Sequence, residues 1–210
     1  MDFPNENLLE YAIKSSHEQS SLLRKIELET FQKIKNPEMV SGSLQGRVLS
    51  MLSQLVNPNQ IVEVGTFTGF STLCLAEGLS SKGVIHTIDI NEELVDIQNN
   101  YFKMSPYEHQ IKSYLGDALE IIPKISSKID LAFIDADKKN YKAYFDLLID
   151  KMNQKGLIIS DNTLWSGKVL NPMDPDTQAI AEYNQHLAHH PKVQNVLLPF
   201  RDGLSLSFVL

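Results

Sequence analysis

The length, composition and charge of the chain exclude several kinds of protein. Its 210 residues are enough for one α/β domain, and its 42% hydrophobic and 21% charged residues are ordinary for a globular protein. The formal net charge of −7 argues against a general nucleic-acid binder, and a single cysteine, Cys74, excludes an internal disulfide and a thiolate-rich metal site.

Neither a targeting segment nor a membrane span is predicted. The first residues lack a basic region followed by an apolar run, and no stretch approaches the ~18 apolar residues of a spanning helix. We therefore expect a cytoplasmic protein with no membrane partner. We expect a single domain over residues 1–210, with N-terminal helices at 1–57, a core at 58–210 and Cys74 buried in that core.

The first part of the chain is predicted to be helical, with helices around residues 8–13, 23–34 and 44–56. The second helix carries an apolar stripe made of Leu23, Ile26, Phe31 and Ile34. This stripe has little domain of its own to cover, so we expect it to contribute to a homodimer.

From residue 60 onward, segments typical of strands and helices alternate. Strands are predicted at residues 60–64, 83–89, 111–115, 129–134, 156–160, 193–198 and 204–209. Helices are predicted between them at residues 70–76, 91–103, 118–125, 141–152 and 177–190. The alternation predicts a doubly wound α/β fold with a mostly parallel sheet, and the short connection at 199–203 predicts an antiparallel last pair.

The first strand ends in a glycine turn that is typical of nucleotide binding. The segment Glu63-Val64-Gly65-Thr66-Phe67-Thr68-Gly69 joins a buried strand to a helix, and its glycines let a ligand lie against the backbone. The spacing is G-x-x-x-G, whereas dinucleotide folds have G-x-G-x-x-G and P-loops end in Gly-Lys-Ser/Thr. An acid before the first glycine suits a ligand with an amino-acid tail, so the turn indicates S-adenosylmethionine rather than NAD.

Acidic residues follow several of the predicted strands. Asp89 lies 24 residues after Gly65, near the ~20 expected for an acid that accepts hydrogen bonds from a ribose hydroxyl pair, and Asp117 could contact an adenine. Either residue could instead cap the helix that follows it. Because ligands of open α/β sheets bind beyond the carboxyl ends of the strands, we expect the cofactor at this edge.

Asp135, Asp161 and Asn162 form a second group at strand ends. If their strands are neighbours, the backbones lie ~4.8 Å apart and the side chains can converge on one ion. Two carboxylates and an amide oxygen favour a hard cation, Mg²⁺ first, with Mn²⁺ and Ca²⁺ as alternatives. Taken singly such residues are usually caps and turns, so the prediction depends on their joint placement.

Lys138 follows the first of these acids and lies where a helix is predicted to begin. The helix macrodipole disfavours a cation in a first turn by ~0.3–1 kcal/mol. We therefore interpret Lys138 as a catalytic base rather than as a surface lysine.

Four segments together resemble a known family. They are Glu63-Val64-Gly65-Thr66-Phe67-Thr68-Gly69, Asp135-Ala136-Asp137-Lys138, Asp161-Asn162-Thr163-Leu164-Trp165-Ser166-Gly167 and Asp202-Gly203-Leu204. In this combination they resemble the cation-dependent class I O-methyltransferases, the caffeoyl-CoA and catechol O-methyltransferase group, specifically its bacterial branch. The resemblance extends from about Glu29 to the end of the chain. Many methyltransferases share the first motif, whereas the second and third in this order are more specific.

The resemblance implies a Rossmann-like seven-stranded sheet whose last two strands reverse direction, and a homodimer built partly from the N-terminal helices. It implies S-adenosylmethionine contacts at Met39, Ser41, Glu63, Gly65, Thr66, Ser71, Asp89, Asp117, Ala118 and Asp135. It also implies a cation held by Asp135, Asp161 and Asn162, with Lys138 and Asp135 as catalytic residues. The acceptor is expected beside Lys138, Asn162, Trp165 and Arg201.

The implied reaction is metal-dependent transfer of a methyl group from S-adenosylmethionine to a hydroxyl of a small catechol-like or other vicinal-dihydroxy phenol. The chain lacks the long N-terminal segment with which plant members help to bind coenzyme A esters, which argues against a thioester acceptor. Two alternatives stay open. One is O-methylation of a hydroxylated uridine in tRNA, which the acidic balance disfavours, and the other is a non-catalytic S-adenosylmethionine-binding module.

Overall fold

The structure is a computed structural model that describes residues 6–210, so expectations about the first five residues lie outside it. The helices are α1 (Glu6–Lys14), α2 (Ser21–Lys33), α3 (Gly42–Val56), α4 (Phe70–Ala76), α5 (Val95–Met104), α6 (Ala118–Ile121), α7 (Tyr141–Ile149) and α8 (Pro175–His189). The strands are β1 (Gln60–Val64), β2 (Val84–Asp89), β3 (Ile111–Leu115), β4 (Ile129–Ile134), β5 (Met152–Ser160), β6 (Val193–Leu198) and β7 (Leu204–Val209). Short 3₁₀ turns connect several of them.

The strands form one seven-stranded sheet in the order β3-β2-β1-β4-β5-β7-β6. The pairs among β1 to β5 are parallel, and β7 is antiparallel to both β5 and β6. This confirms the doubly wound α/β fold and the antiparallel last pair. The central strands read as continuous apolar runs because helices cover both faces of the sheet.

Alternate residues of the central strands supply two hydrophobic cores, one on each face. Leu131 and Phe133 pack on the face covered by α2, α3, α4 and α5, where Cys74 is also buried. Ala132 and Ile134 pack on the opposite face, under α6, α7 and α8. Each fully buried large apolar side chain stabilises the fold by roughly 1.5–3 kcal/mol. Within the described range no helix has the length and apolar character needed to cross a bilayer.

The apolar stripe of α2 is used differently from the expectation. Leu23 and Ile26 are buried in the core of their own chain, against α4 and α5, so the expectation that they are free to cover a second subunit is wrong. Phe31 was assigned to the same stripe, but its side chain is 57% exposed. The helix therefore buries one face internally and presents another to solvent.

The segment after β4 also differs from its prediction. Lys138 lies in a 3₁₀ turn, Lys138–Asn140, which precedes α7 rather than forming its first turn. The helix ends at Ile149, and Met152 is the first residue of β5, paired with Ile129. The predicted helix at 141–152 ends at Met152, which is buried; an apolar pattern alone cannot distinguish a buried helix position from a buried strand position.

Candidate active site

The candidate site lies at the carboxyl edge of the sheet, between β1 and β4. Connections leave these two adjacent strands toward opposite ends of the sheet, which makes this crevice the topological switch point where ligands of such folds bind. Gly65 directly follows β1 with φ +103°, and a Cβ there would lie 1.9 Å from the backbone oxygen of Asp135. Only glycine lets the two strand ends approach this closely.

The glycine turn is tied to Asp89 at the end of β2. The backbone N–H of Phe67, at φ +48°, donates to Asp89 Oδ2 at 2.7 Å, and Gln98 Nε2 donates to the Phe67 carbonyl at 2.7 Å. The other oxygen of Asp89 accepts from the Asn91 N–H at 2.8 Å, while Asn91 caps the following turn. The predicted ribose-binding carboxylate is therefore directed to the glycine turn and is not the helix cap.

Glu63 lies beneath the turn and is fully buried. Its Oε2 accepts hydrogen bonds from the hydroxyls of Thr72 and Thr87, and Thr87 in turn bonds Thr66 at 2.6 Å. Its Oε1 has no hydrogen-bond partner among the described residues. Burial raises the pKa of Glu63 to about 7, against the opposing effect of the neighbouring hydroxyls, which include Ser71.

The other predicted cofactor residues are less closely connected. Asp117 follows β3 and caps α6 by accepting from the Leu119 N–H at 2.8 Å, while Ala118 beside it is buried. Ser41 is buried just before α3, whereas Met39 is exposed. In the described chain no hydrogen bond joins Met39, Ser41 or Asp117 to the group around Gly65.

Lys138 brings the second predicted group together. Its ammonium donates to Asp135 Oδ1 at 3.3 Å, to Asn162 Oδ1 at 2.8 Å and to the Tyr141 hydroxyl at 2.6 Å, with a side chain only 9% exposed. Asp135 follows β4, and Asn162 lies just after β5; these two strands are parallel neighbours, as expected. One cationic nitrogen thus contacts oxygens from the ends of both strands.

Asp161 completes the predicted set and is 4% exposed. Its Oδ1 accepts from the Asn162 N–H at 2.8 Å. Burial raises the pKa of Asp161, and the charge of Asp135 adds to this shift. A buried carboxylate close to a second one is stabilised in its charged form by a cation.

The donor set fits a hard divalent cation. Among residues 6–210 no cluster of three or more His, Cys, Asp or Glu side chains is suited to a metal ion. The candidate set instead consists of two carboxylates and one amide oxygen, the oxygen donors that Mg²⁺ prefers over the nitrogen and sulfur donors of Zn²⁺. The residues present therefore fit an ion of the Mg²⁺ type.

Trp165 lies beside Lys138 and belongs to a tightly turned loop. Trp165, Ser166 and Gly167 all have left-handed backbones, with φ +47°, +53° and +76°. Asp202 holds this loop because its carboxylate accepts from the Ser166 N–H and its carbonyl accepts from the Leu164 N–H at 2.8 Å. The Trp165 ring centre lies 5.4 Å from Lys138 Nζ.

Arg201 lies on another side of this region. Its guanidinium is 3.5 Å from the Val40 carbonyl, so it contacts the segment before α3. It is close enough to Asp161 for its charge to oppose the rise of that carboxyl's pKa. The structure therefore places Arg201 near the centre without joining it to Trp165 or Lys138.

Two further residues of the centre were missed from sequence. The sequence predicts Tyr141 only as the first residue of the helix at 141–152, yet its hydroxyl accepts from Lys138 and donates to the Asp161 carbonyl at 3.0 Å. Gln45, on α3, donates to Asp161 Oδ2 at 2.5 Å across 116 positions of the chain. The position of Tyr141 three residues after Lys138 is a usable signal, but nothing in the sequence connects Gln45 to Asp161.

The fold and the site define a class: a doubly wound α/β protein with a glycine-turn crevice next to an oxygen-rich centre at the switch point. Residues 13–209 match the profile of the O-methyltransferase family. The chain therefore belongs to the O-methyltransferase family.

Similar proteins agree with this membership. Caffeoyl-CoA O-methyltransferase 2 of Petunia hybrida is 35% identical over 182 residues, covering 80% of this chain and 75% of the relative. Caffeoyl-CoA O-methyltransferase of Petroselinum crispum is 34% identical over 182 residues, covering 80% and 76%. The chain is accordingly an S-adenosylmethionine-dependent O-methyltransferase of the caffeoyl-CoA O-methyltransferase group, an enzyme rather than a non-catalytic module.

Solved structures share the fold over nearly the whole chain. The O-methyltransferase from Bacillus cereus in complex with SAH superposes with a TM-score of 0.88 at 27% identity, covering 96% of each chain. An SAH-bound methyltransferase from Podospora anserina superposes with a TM-score of 0.92 at 23% identity, covering 100% of this chain and 98% of the other.

Proposed function

We propose that this enzyme transfers the methyl group of S-adenosylmethionine to one hydroxyl of a small phenol with two adjacent hydroxyls, assisted by a divalent cation. The observation that carries the proposal is the convergence at Lys138, whose ammonium lies 3.3 Å from Asp135 Oδ1 and 2.8 Å from Asn162 Oδ1. With Asp161 beside them, these oxygens would hold Mg²⁺, or alternatively Mn²⁺ or Ca²⁺.

The kind of acceptor is supported by the relatives. The plant relatives are named for caffeoyl-CoA, whose caffeoyl group is a phenol with vicinal hydroxyls. This chain would act on a small phenolic acceptor of that type. Trp165, 5.4 Å from Lys138, offers an aromatic wall against which such a ring can pack.

The cofactor would lie over the glycine turn. Asp89, oriented by the Phe67 N–H, would accept from the ribose hydroxyls, and Gly65 leaves the crevice open at the strand end. The buried Oε1 of Glu63, which has no partner in the described chain, is an acceptor available to the amino-acid tail. Met39, Ser41, Thr66, Ser71, Asp117 and Ala118 complete the proposed cofactor contacts.

The residues around the acceptor have separable tasks. When bound, the cation supplies positive charge that draws two adjacent hydroxyl oxygens to the centre and favours the ionisation of one of them. Lys138 is the base, and its Nζ accepts that hydroxyl proton. Tyr141 holds Nζ in place because its own proton is directed to the Asp161 carbonyl, which leaves its oxygen free to accept from Lys138. The glycine turn and Trp165 restrict the orientation of the two substrates, which brings the reacting atoms together.

A methyl-transfer assay tests the proposal. The enzyme is incubated with labelled S-adenosylmethionine and Mg²⁺ in the presence of either a pool of small phenols or tRNA from a strain that lacks the modification. We expect label in the vicinal-dihydroxy phenols, loss of transfer in EDTA and recovery with Mg²⁺ or Mn²⁺. Label in the tRNA pool alone would contradict the acceptor, and full activity in EDTA would contradict the cation.

A further inference from the structure

Gln45 makes a buried contact with Asp161 that no step of the proposed mechanism uses. It lies in the first turn of α3 with a side chain only 1% exposed. Its Nε2 donates to Asp161 Oδ2 at 2.5 Å, and Asp161 is itself buried. The contact joins α3, which follows the proposed cofactor segment Met39–Ser41, to the end of β5.

The orientation of the Gln45 amide follows from its partner. A side-chain amide has two donors on nitrogen and an acceptor oxygen, and only the nitrogen can face a carboxylate favourably. This leaves Gln45 Oε1 buried without a hydrogen-bond partner among the described residues. An unpaired buried carbonyl oxygen costs stability, and an apolar side chain of similar size would avoid that cost. Local packing therefore does not account for a glutamine at this position, whereas its contact with Asp161 does.

The two oxygens of Asp161 are held from two different elements. Gln45 of α3 donates to Oδ2, and the backbone N–H of Asn162 donates to Oδ1 at 2.8 Å. Two donors on opposite oxygens restrict the rotation of the carboxylate, while each oxygen keeps a further lone pair for a ligand. A carboxylate prepared in this way binds a cation without first having to be ordered.

We propose that Gln45 is a positioning residue for the divalent cation, which it affects by orienting Asp161. The inference rests on the cation site of the proposed function. It concerns the affinity for the ion, so it can be measured without turnover.

The test compares Gln45→Met with wild type and with a matched control. Methionine keeps the length and bulk of glutamine and removes the donor. Gln110→Met is the control, because Gln110 is half-buried and also donates from Nε2, to the backbone carbonyls of Ser80 at 3.0 Å and Gly83 at 2.9 Å, with no contact to the centre. Mn²⁺ is titrated into each protein by calorimetry at one pH, and SAH is titrated separately.

We expect Gln45→Met to weaken Mn²⁺ binding about 10–100-fold, the usual effect of losing a residue that orients a metal ligand. SAH affinity should change by less than about twofold, and Gln110→Met should match wild type for both ligands, as expected for a site far from the centre. Equal Mn²⁺ affinity of Gln45→Met and wild type would overturn the positioning role and leave the cation site intact. A wild-type protein that binds no Mn²⁺ would overturn the cation site itself, and this inference with it.

Gln45→Asn is the second variant, since it keeps the amide and is one methylene too short to reach Asp161. We expect the same loss of Mn²⁺ affinity. If both variants fail to fold while Gln110→Met folds, Gln45 has a structural role and the proposal is overturned.

Discussion

At the scale of single residues, the reaction centre depends on how Lys138 is held. Three acceptors surround its ammonium: a carboxylate oxygen of Asp135, an amide oxygen of Asn162 and the hydroxyl of Tyr141. They come from the end of β4, the end of β5 and the start of α7. Nζ is therefore directed at protein oxygens of the candidate centre, and not at solvent.

Replacing Lys138 by methionine should lower kcat by roughly 10²–10⁴, because the transfer loses its base. Binding of S-adenosylmethionine, measured by calorimetry, should stay close to that of wild type. The loss of kcat should shrink as pH rises, since spontaneous ionisation of the acceptor then replaces the amine. Lys139→Met is the control, because Lys139 is exposed and its ion pair is a long one, 4.0 Å from Nζ to an oxygen of Asp176. Near-wild-type kcat of Lys138→Met, with chemistry rate-limiting, would refute the role.

Replacing Tyr141 by phenylalanine should lower both stability and kcat. The buried hydroxyl donates to the Asp161 carbonyl and accepts from Lys138, so its removal leaves the carbonyl without that donor and Lys138 with one acceptor fewer, which costs ~1–3 kcal/mol in the free energy of unfolding. The matched control is Tyr183→Phe, which also removes one buried hydroxyl, hydrogen-bonded to Ser160 at 2.6 Å. The Tyr183 ring packs edge-on against the Tyr141 ring, so the two variants change neighbouring positions. Denaturant unfolding should detect both changes, whereas assays should detect a fall in kcat only for Tyr141→Phe. Equal kcat in the two variants would mean that Tyr141 is purely structural.

At the scale of elements, the turn after β1 decides whether the crevice exists. The turn passes so close to the end of β4 that position 65 has no room for a side chain. The same turn carries Phe67 in a left-handed conformation and orients the carboxylate at the end of β2. One connection thus positions parts of three neighbouring strands.

Gly65→Ala should destabilise the fold by at least about 2 kcal/mol, since a side chain adds strain at φ +103° and overlaps the Asp135 backbone. Gly167→Ala is the control: it has φ +76° but nothing within 4 Å, so only the backbone strain of about 1 kcal/mol applies. The two free energies of unfolding are compared by denaturant titration. A smaller effect at Gly65 than at Gly167 would contradict the close approach of β1 and β4.

At the scale of the whole molecule, the buried carboxylates link stability to pH. Burial raises the pKa of Glu63 to about 7 and also raises that of Asp161, so the folded protein binds protons that the unfolded chain has released. This contribution to stability is fully present below the ordinary carboxyl pKa and is lost as pH rises through the raised value. Without cation or cofactor, the free energy of unfolding should therefore decrease from about pH 5 to about pH 8.

Glu63→Gln should reduce the fall in the free energy of unfolding between about pH 5 and about pH 8, by on the order of 1–3 kcal/mol. The measurement is denaturant unfolding at several pH values in EDTA. The exposed pair Lys14 and Glu10 supplies a control, since Glu10→Gln changes the same charge at the surface. An identical pH profile of wild type and Glu63→Gln would contradict the raised pKa.

The outer surface of the N-terminal helices bears on assembly. Leu28 and Phe31 lie one turn apart on α2, and each is 57% exposed. We predict a homodimer that buries this face, so light scattering at micromolar concentration should give twice the mass of one chain. Phe31→Ser should weaken the dimer. Leu170→Ser should not, because Leu170 is also exposed but lies in the segment after β5, outside the N-terminal helices. A monomeric wild type would contradict the prediction.

The sequence alone determined the alternation of strands and helices, and with it the class of fold. The strands β1, β3, β4, β6 and β7 have the predicted bounds because each is a short apolar or alternating run between turn residues. The helix predicted over 141–152 extends too far, because a buried strand residue such as Met152 also fits the helical spacing. Lys138 lies in a 3₁₀ turn just before α7, which the sequence does not distinguish from the first turn of the helix. The strand-end acids could be identified because parallel strands bring their carboxyl ends to one edge.

Only the tertiary structure decided which of these residues touch. The contacts of Lys138 with Asn162, and of Gln45 with Asp161, join segments 24 and 116 positions apart. No local pattern encodes such pairs, because they arise from the strand order β1-β4-β5 and from the packing of α3 against the end of the sheet. The sequence by itself thus determined which chemical groups lie at the sheet edge, through propensity and spacing. Their distances, burial and shifted pKa values were decided by the packing of distant elements, which sets the dielectric and the partners of each group.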